Sequence, residues 1–419
     1  MRENPMPGMT QLEMAGERRL RQLLFASNLL AFCVVGAVAI HLWRLPAGAN
    51  VYFKLQQGAS FTYMFIWMGI AAIGALGACH RRTLYVSLAI AFLLFLEGAA
   101  HAYFYQQNGR LYHPWARAIL DRFEPHPILV GVPHPGRFGG LSHDESNRRT
   151  TINEAKAANP KYVYVFGGSA TYDVAVEDSQ TWASDLSRRL GPNFVVENYG
   201  VPGYGSLEGM IQSLFVFRDV KPVCAIYYGG GNDLRNSHVE GLRNDYSDSY
   251  LRGLVGVLGV GYRPGFVESN FLLLQLIARA FSGADNKYGA WQTHGEISDK
   301  EDARLSAIVS ENMKLTAAIA SQFGVKAMFA PQVLNYDFLE QHYQRGWWPY
   351  IPAKGVRPLV HRLNIELEQA AKDSGAVLLA GPLSVDWKTS DFADQVHFSA
   401  AGAARFAASL APDVARDCQ

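Results

Sequence analysis

KYVYVFGGSATYD, residues 161–173, decides the fold. Its first part, Tyr162–Phe166, is a short run of aromatic and β-branched residues, the composition of a strand with neither face in water. Strands buried on both faces belong to parallel sheets covered by helices. Two glycines and Ser169 end the run, and in such sheets ligands collect at the carboxyl ends of the strands. Outward from this point the same alternation continues. Gln180–Leu190 reads as a helix, Phe194–Glu197 as a strand, Leu207–Asp219 as a helix and Val223–Tyr228 as a strand. Lys300–Phe323 then reads as a long helix, Val325–Ala330 as a strand, Pro358–Asp373 as a helix, Ala376–Leu379 as a strand and Ser399–Leu410 as a closing helix. The class is α/β, an αβα sandwich around a parallel sheet. Residues 234–300 read as an irregular insertion, and 332–356 as a loop after a strand end.

Three further blocks sit at strand ends or before the last helix. NYGVPGYGS (198–206) follows the second strand, GGGND (229–233) the third, and DQVH (394–397) precedes the closing helix. A glycine in the first of these can aim its bare N–H at a developing oxyanion, and Asn232 adds a side-chain amide donor. The spacing of Asp394 and His397 lets the carboxylate orient the imidazole from one loop, leaving the other ring nitrogen for Ser169. Taken singly, each block is a plain turn or helix cap. In this order they supply a nucleophile, a base, its orienter and oxyanion donors.

The four blocks together resemble the SGNH (GDSL-like) hydrolase superfamily, over roughly residues 160–415. That resemblance implies a flavodoxin-like αβα sandwich with Ser169, His397 and Asp394 as the catalytic residues. It also implies an oxyanion hole made by the amides of Ser169 and Gly203 and the Asn232 side chain, where Gly203 rather than Gly200 matches the second block. The chemistry needs no metal and no organic cofactor. Gly168 and Ala170 stand where the GDSL spelling has Asp and Leu, so this is the GGS variant, and the implied preference for simple lipid esters weakens accordingly.

The remaining N-terminal part differs sharply in composition. The net charge of the 419-residue chain is only +1, which gives no case for nucleic acid. Residues 23–105 are almost uncharged. Leu23–Trp43, Phe61–Ala78 and Leu84–Phe104 are apolar enough to cross a hydrocarbon core of roughly 30 Å, so three transmembrane helices are expected to precede the sandwich. Ala37-Val38-Ala39 passes for a cleavage site, but the apolar run continues to Trp43, which favours an uncleaved anchor. Arg18, Arg19 and Arg21 precede the first span, and Arg81 and Arg82 fill the second connection. By the positive-inside rule the N-terminus (1–22) is cytoplasmic, and the chain beyond about residue 105 lies outside the cell or inner membrane. Glu97 lies in the third span one helical turn before His101, with His41 at a similar depth on the first. The expectation is a Glu97–His pair that locks helices, ahead of any part in chemistry.

Between span and sandwich, residues 106–160 are rich in Pro, His and Gly and read as a short β-containing collar. Its His126, His134 and His143 match no metal spacing. The domain that follows is 161–419. Four cysteines are too few for a disulfide framework.

These expectations lead to a membrane-anchored, extracytoplasmic serine esterase removing short O-acyl groups, acetyl foremost, from a glycan or glycolipid. One rival is an O-acyltransferase using the same acyl-enzyme, with a membrane partner supplying the acyl donor. The others are a lysophospholipase at the lipid surface and a non-catalytic scaffold or glycan-binding protein. Trp347, Trp348 and Tyr350 are candidate substrate-binding aromatics. Packing or membrane-surface roles suit them equally.

Overall fold

A computed structural model of the chain describes residues 10–44, 51–108, 112, 122–154, 156–247, 267, 270–281, 295–342, 348 and 350–419. It separates into two compact units. The first is helical. Its α1 (Gln11–Arg44), α2 (Val51–Ala78) and α3 (Leu84–Asn108) contain three stretches long and apolar enough to cross a membrane. Arg21 Nε donates to the Ala78 carbonyl at 3.0 Å, and Arg81 pairs with Glu17 at 3.2 Å. The two basic clusters therefore share one end of this unit.

The second unit is the sandwich. Strands β1 (Phe123–His126), β2 (Val130–Pro133), β3 (Gly136–Phe138) and β4 (Leu141–His143) form two antiparallel hairpins. Then come β5 (Lys161–Gly167), the single turn α4 (Ser169–Tyr172), α5 (Trp182–Leu190), β6 (Phe194–Asn198), α6 (Ser206–Asp219) and β7 (Cys224–Tyr228). After the helix α7 (Leu272–Phe281), which packs in the helical unit, follow α8 (Ala303–Gln322), β8 (Lys326–Ala330), α9 (Tyr336–His342), α10 (Ala353–Ser374), β9 (Val377–Leu378) and α11 (Ala400–Asp417). The five-stranded sheet has the order β6-β5-β7-β8-β9 and every pairing is parallel. All five residues of β7 are buried, as a central strand covered on both faces requires. One core lies between the sheet and α5 and α11, with Trp182, Tyr228 and Phe406 at its heart. The other, on the opposite face, holds Phe166, Phe217 and Phe329.

The structure differs from the expectations in four places. The 234–300 insertion is not irregular throughout: α7 is a two-and-a-half-turn helix that belongs with α1–α3. Glu97 explains the placement. Its Oε1 accepts from the Leu272 N–H at 2.7 Å and its Oε2 from the Leu273 N–H at 3.0 Å, so a carboxylate caps the positive end of α7. Tyr63 Oη donates to the same carboxylate at 2.9 Å, and Trp67 Nε1 donates to the Asn270 carbonyl at 3.1 Å. His101 Nε2 is 3.7 Å from Glu97 on the same helix. The lock therefore joins α2, α3 and α7 rather than two spans through a histidine; the His41 side chain lies outside the described residues. The second difference is the collar, whose described residues from 122 on belong to the sandwich unit, while 106–108 and Tyr112 belong to the helical one. Arg149 is completely buried, donates to the carbonyls of Tyr172 and Val176 and pairs with Asp178.

Thirdly, the 332–356 stretch is not a loop throughout: α9 lies within it, and α10 already begins at Ala353 and carries Pro358 inside it, whereas the sequence reading starts that helix at the proline, where its missing N–H costs nothing. Finally, Cys224 of β7 and Cys418 at the end of α11 form a disulfide, with Cα atoms 5.6 Å apart and 194 residues of separation. A crosslink closing so long a loop restricts the unfolded chain strongly. Cys418→Ala is expected to lower the unfolding free energy by about 2–5 kcal/mol, read as an equal fall of the urea midpoint in wild type on adding reductant and no further fall in the variant.

Candidate active site

Ser169, the candidate nucleophile, stands where β5 ends. Gly168 is the N-cap of α4, and Ser169 is its first residue. A Cβ on Gly168 would collide with Asn232 Nδ2 and lie 2.9 Å from the Tyr204 carbonyl. The close approach of two other loops therefore demands glycine here. Thr171, two residues on, donates to the Tyr228 carbonyl at 2.8 Å and ties α4 to the end of β7. Asn198 Nδ2 donates to the Thr171 carbonyl at 2.8 Å, while its Oδ1 accepts from the Gly200 N–H at 2.9 Å. The first asparagine of the second block is thus a brace between loops.

His397 and Asp394 come from the loop before α11, His397 being 228 residues from the serine. His397 Nε2 lies 2.7 Å from Ser169 Oγ, and its Nδ1 lies 2.7 Å from Asp394 Oδ2. The other carboxylate oxygen accepts from the Val396 and His397 backbone amides at 2.9 and 2.8 Å. Burial pushes the Asp394 carboxyl up, but the imidazole and those two amides outweigh it and hold the group below its ordinary value. An ionised Asp394 fixes the tautomer of His397 with a proton on Nδ1, so Nε2 faces Ser169 Oγ as an acceptor.

The candidate oxyanion donors lie in the other two blocks. Gly203 has φ of 95°, a conformation glycine adopts freely. Asn232 Nδ2 donates one hydrogen to the Tyr204 carbonyl at 2.9 Å, and its second hydrogen remains for an oxyanion. Ser169, Gly203, Asn232 and His397 are half-buried, whereas their supports Gly168, Tyr204, Asp233 and Asp394 are buried. The four candidate residues reach solvent and their supports do not.

That scaffolding was not visible as function in the sequence. Asp233 accepts from the Ser206 N–H at 3.1 Å, from Ser206 Oγ at 2.6 Å and from Tyr246 Oη at 3.0 Å. It joins the loop of Asn232 to the loop of Gly203. Trp348 is fully buried, and its Nε1 donates to the Gly231 carbonyl at 2.8 Å. Gln332 accepts from the Gly231 N–H at 3.3 Å. Trp348 is therefore a brace for the glycine-rich loop and not a substrate platform. Tyr350 is half-buried and packs against the core, and Trp347 lies outside the described residues. The signal for these braces was only their position after β7 and β8.

Glu208, fully enclosed, accepts from the Gly205 N–H at 2.8 Å and caps α6. Burial pushes its carboxyl up to about 7 against that hydrogen bond, and the neighbouring Asp233 charge adds to the rise. Burial likewise pushes Asp173, which accepts from the Trp182 N–H at 2.6 Å, up to about 7. Both folded values exceed the unfolded values, so the native state binds these protons more tightly. Stability from them is full below about pH 4 and declines until about pH 7. Asp394 acts in the opposite sense: its contribution is present above the ordinary carboxylate range and is lost as pH falls through its lowered value. Glu208→Gln is expected to shrink the fall in unfolding free energy between pH 5 and 7 by on the order of 2 kcal/mol, measured by urea melts.

No family model and no curated protein matches this chain. Solved structures do. The crystal structure of TesA is 15% identical, with 61% of this chain and 98% of that one covered and a TM-score of 0.37. A GDSL-like lipase from Bacteroides thetaiotaomicron is 13% identical, covering 63% and 93%, with a TM-score of 0.36. A lipase/acylhydrolase from Enterococcus faecalis is 14% identical, covering 61% and 96%, with a TM-score of 0.35. At such values these likenesses carry no argument for activity, which rests on the geometry of the site itself.

Proposed function

We propose that this chain is a membrane-tethered serine ester hydrolase that removes short O-acyl groups, acetyl foremost, from a glycan or glycolipid on the extracytoplasmic side. The observation that carries the reading is the unbroken run of hydrogen bonds from Asp394 through His397 to Ser169, each link at 2.7 Å. Ser169 Oγ attacks the ester carbonyl while His397 Nε2 takes its proton. The amides of Ser169 and Gly203 and the Asn232 side chain receive the oxyanion. His397 then gives the proton to the departing sugar oxygen, leaving the acyl group on Ser169. Water, deprotonated by the same imidazole, releases it as the acid.

A cavity of about 640 Å³ near the loop of Asp394 and His397 has polar walls at Gln332, Asn335, Arg357 and Lys388 and apolar ones at Leu334, Leu383, Trp387 and Phe392, a mixed lining that suits a sugar ring with its acyl group. The shared end of the two arginine clusters supports an N-terminus in the cytoplasm. Three crossings then put the sandwich outside, and the Cys224–Cys418 disulfide suits an oxidising compartment.

The test is hydrolysis of p-nitrophenyl acetate and of longer-chain esters by the full-length protein, with Ser169→Ala beside it. Acetate turnover that vanishes in the variant supports the reading, as does acetate released from an O-acetylated polysaccharide. Preference for long chains points to a lysophospholipase. No turnover by the folded protein unless a sugar acceptor and an acyl donor are both present points to the O-acyltransferase, and none under any condition to a scaffold.

A further inference from the structure

The helical unit encloses a crevice of about 520 Å³ that the catalytic reading does not use. Leu30 and Val34 of α1, Met64 of α2 and Leu94 of α3 are among its apolar walls, and Tyr63, Glu97 and His101 form its polar part. The volume lies within the range of about 300–1,000 Å³ typical of small-molecule sites. Small residues open it: Gly98 of α3 lines the space, and a Cβ added there meets nothing within 4 Å. On α3 the lining runs from Ala91 to His101, about 15 Å of helix at 1.5 Å per residue. That is the thickness of one leaflet, half of a hydrocarbon core of about 30 Å. Leu30, Val34 and Phe95 at its margin are 65%, 54% and 69% exposed, so the mouth opens sideways from the helices.

We infer that this crevice binds one hydrocarbon chain of a membrane lipid, seated along the helices with its polar end at Tyr63 and His101. The occupant follows from the surroundings. With the helices in a bilayer, the material at a sideways apolar mouth is acyl chain, and a dry void of this size would forfeit the contacts of its walls. The polar end is fixed for a separate reason. Glu97 is consumed by capping α7 and by Tyr63, which leaves the polar part rigid and anchored rather than a charge seeking a counter-ion. The inference rests on the helices spanning a bilayer and not on the chemistry of Ser169.

The test uses the full-length protein, and its Ser169→Ala variant, in phospholipid vesicles. One arm contains a fatty acid with a diazirine at its chain end and the other a phospholipid bearing the same chain. After photolysis, adducts are mapped by peptide mass spectrometry. Adducts concentrated on residues 27–38 and 91–101, equal with and without Ser169, are expected, and the stronger arm identifies the lipid class. Gly98→Phe fills the crevice and should lower those adducts on the order of tenfold, the loss of about two buried methylenes of binding. Gly69→Phe, on an exposed position of α2 with equal room for a side chain, should leave them unchanged. Adducts spread evenly over the three helices of the wild type overturn the crevice as a site, whatever Gly98→Phe does. Absence of adducts on all three helices overturns both the site and the bilayer placement, while ester turnover in the same samples reports separately on the catalytic reading.

Discussion

Ester turnover by Ser169→Ala should fall by on the order of 10⁶ in kcat, and that of His397→Ala by a similar factor. The double variant should be no slower than either single one. The reason is geometric: the serine hydroxyl and the imidazole are 2.7 Å apart, and neither performs the step without the other. Asp394→Ala should cost less, on the order of 10⁴, because the imidazole remains near the serine but loses its orienter and its fixed tautomer. Comparing kcat of the four proteins at equal folded fraction checks the order. Additive losses in the double variant would mean that the two side chains act in separate steps.

Asn232→Ala is expected to lower kcat on the order of 10²–10³ with little change in KM, the usual cost of one preorganised oxyanion donor, about 2.7–4 kcal/mol. The amide is held by the Tyr204 carbonyl at 2.9 Å, so it needs no reorganisation when charge develops. Asn232→Asp should be at least as slow, since a carboxylate repels the oxyanion. Gly168→Ala is a cruder version of the same test, because its Cβ would meet both Asn232 Nδ2 and the Tyr204 carbonyl and shift the two loops together. A KM effect of the same size as the kcat effect in Asn232→Ala would mean that the residue binds ground-state substrate instead.

The order of elements was legible because buried parallel strands are short, apolar on both faces and separated by amphipathic helices. The reading of Phe194–Glu197 and the observed Phe194–Asn198 differ by one residue. The meeting of Ser169, His397 and Asp394 was legible because short blocks at strand ends and before the last helix carry all three. What stayed hidden was set by distant partners. Nothing local to LLLQLIARAF says that its N-terminus meets Glu97, 175 residues earlier. Trp348 looks like a surface aromatic in a polar loop, and only the packing of Gly231 beneath it makes it a buried brace. Pairing of Cys224 with Cys418 depends on where α11 ends, which runs to Asp417 through Pro412, beyond the sequence expectation at Leu410.

Ester hydrolysis at this site requires Ser169 to be an activated nucleophile. Reaction of the full-length protein with a fluorophosphonate, followed by peptide mapping, measures that without any assumption about substrate. The geometry predicts one phosphonyl group per chain on Ser169 and a reaction slowed by several orders of magnitude in His397→Ala. An unmodified Ser169 in folded protein, or equal rates in wild type and His397→Ala, would contradict it.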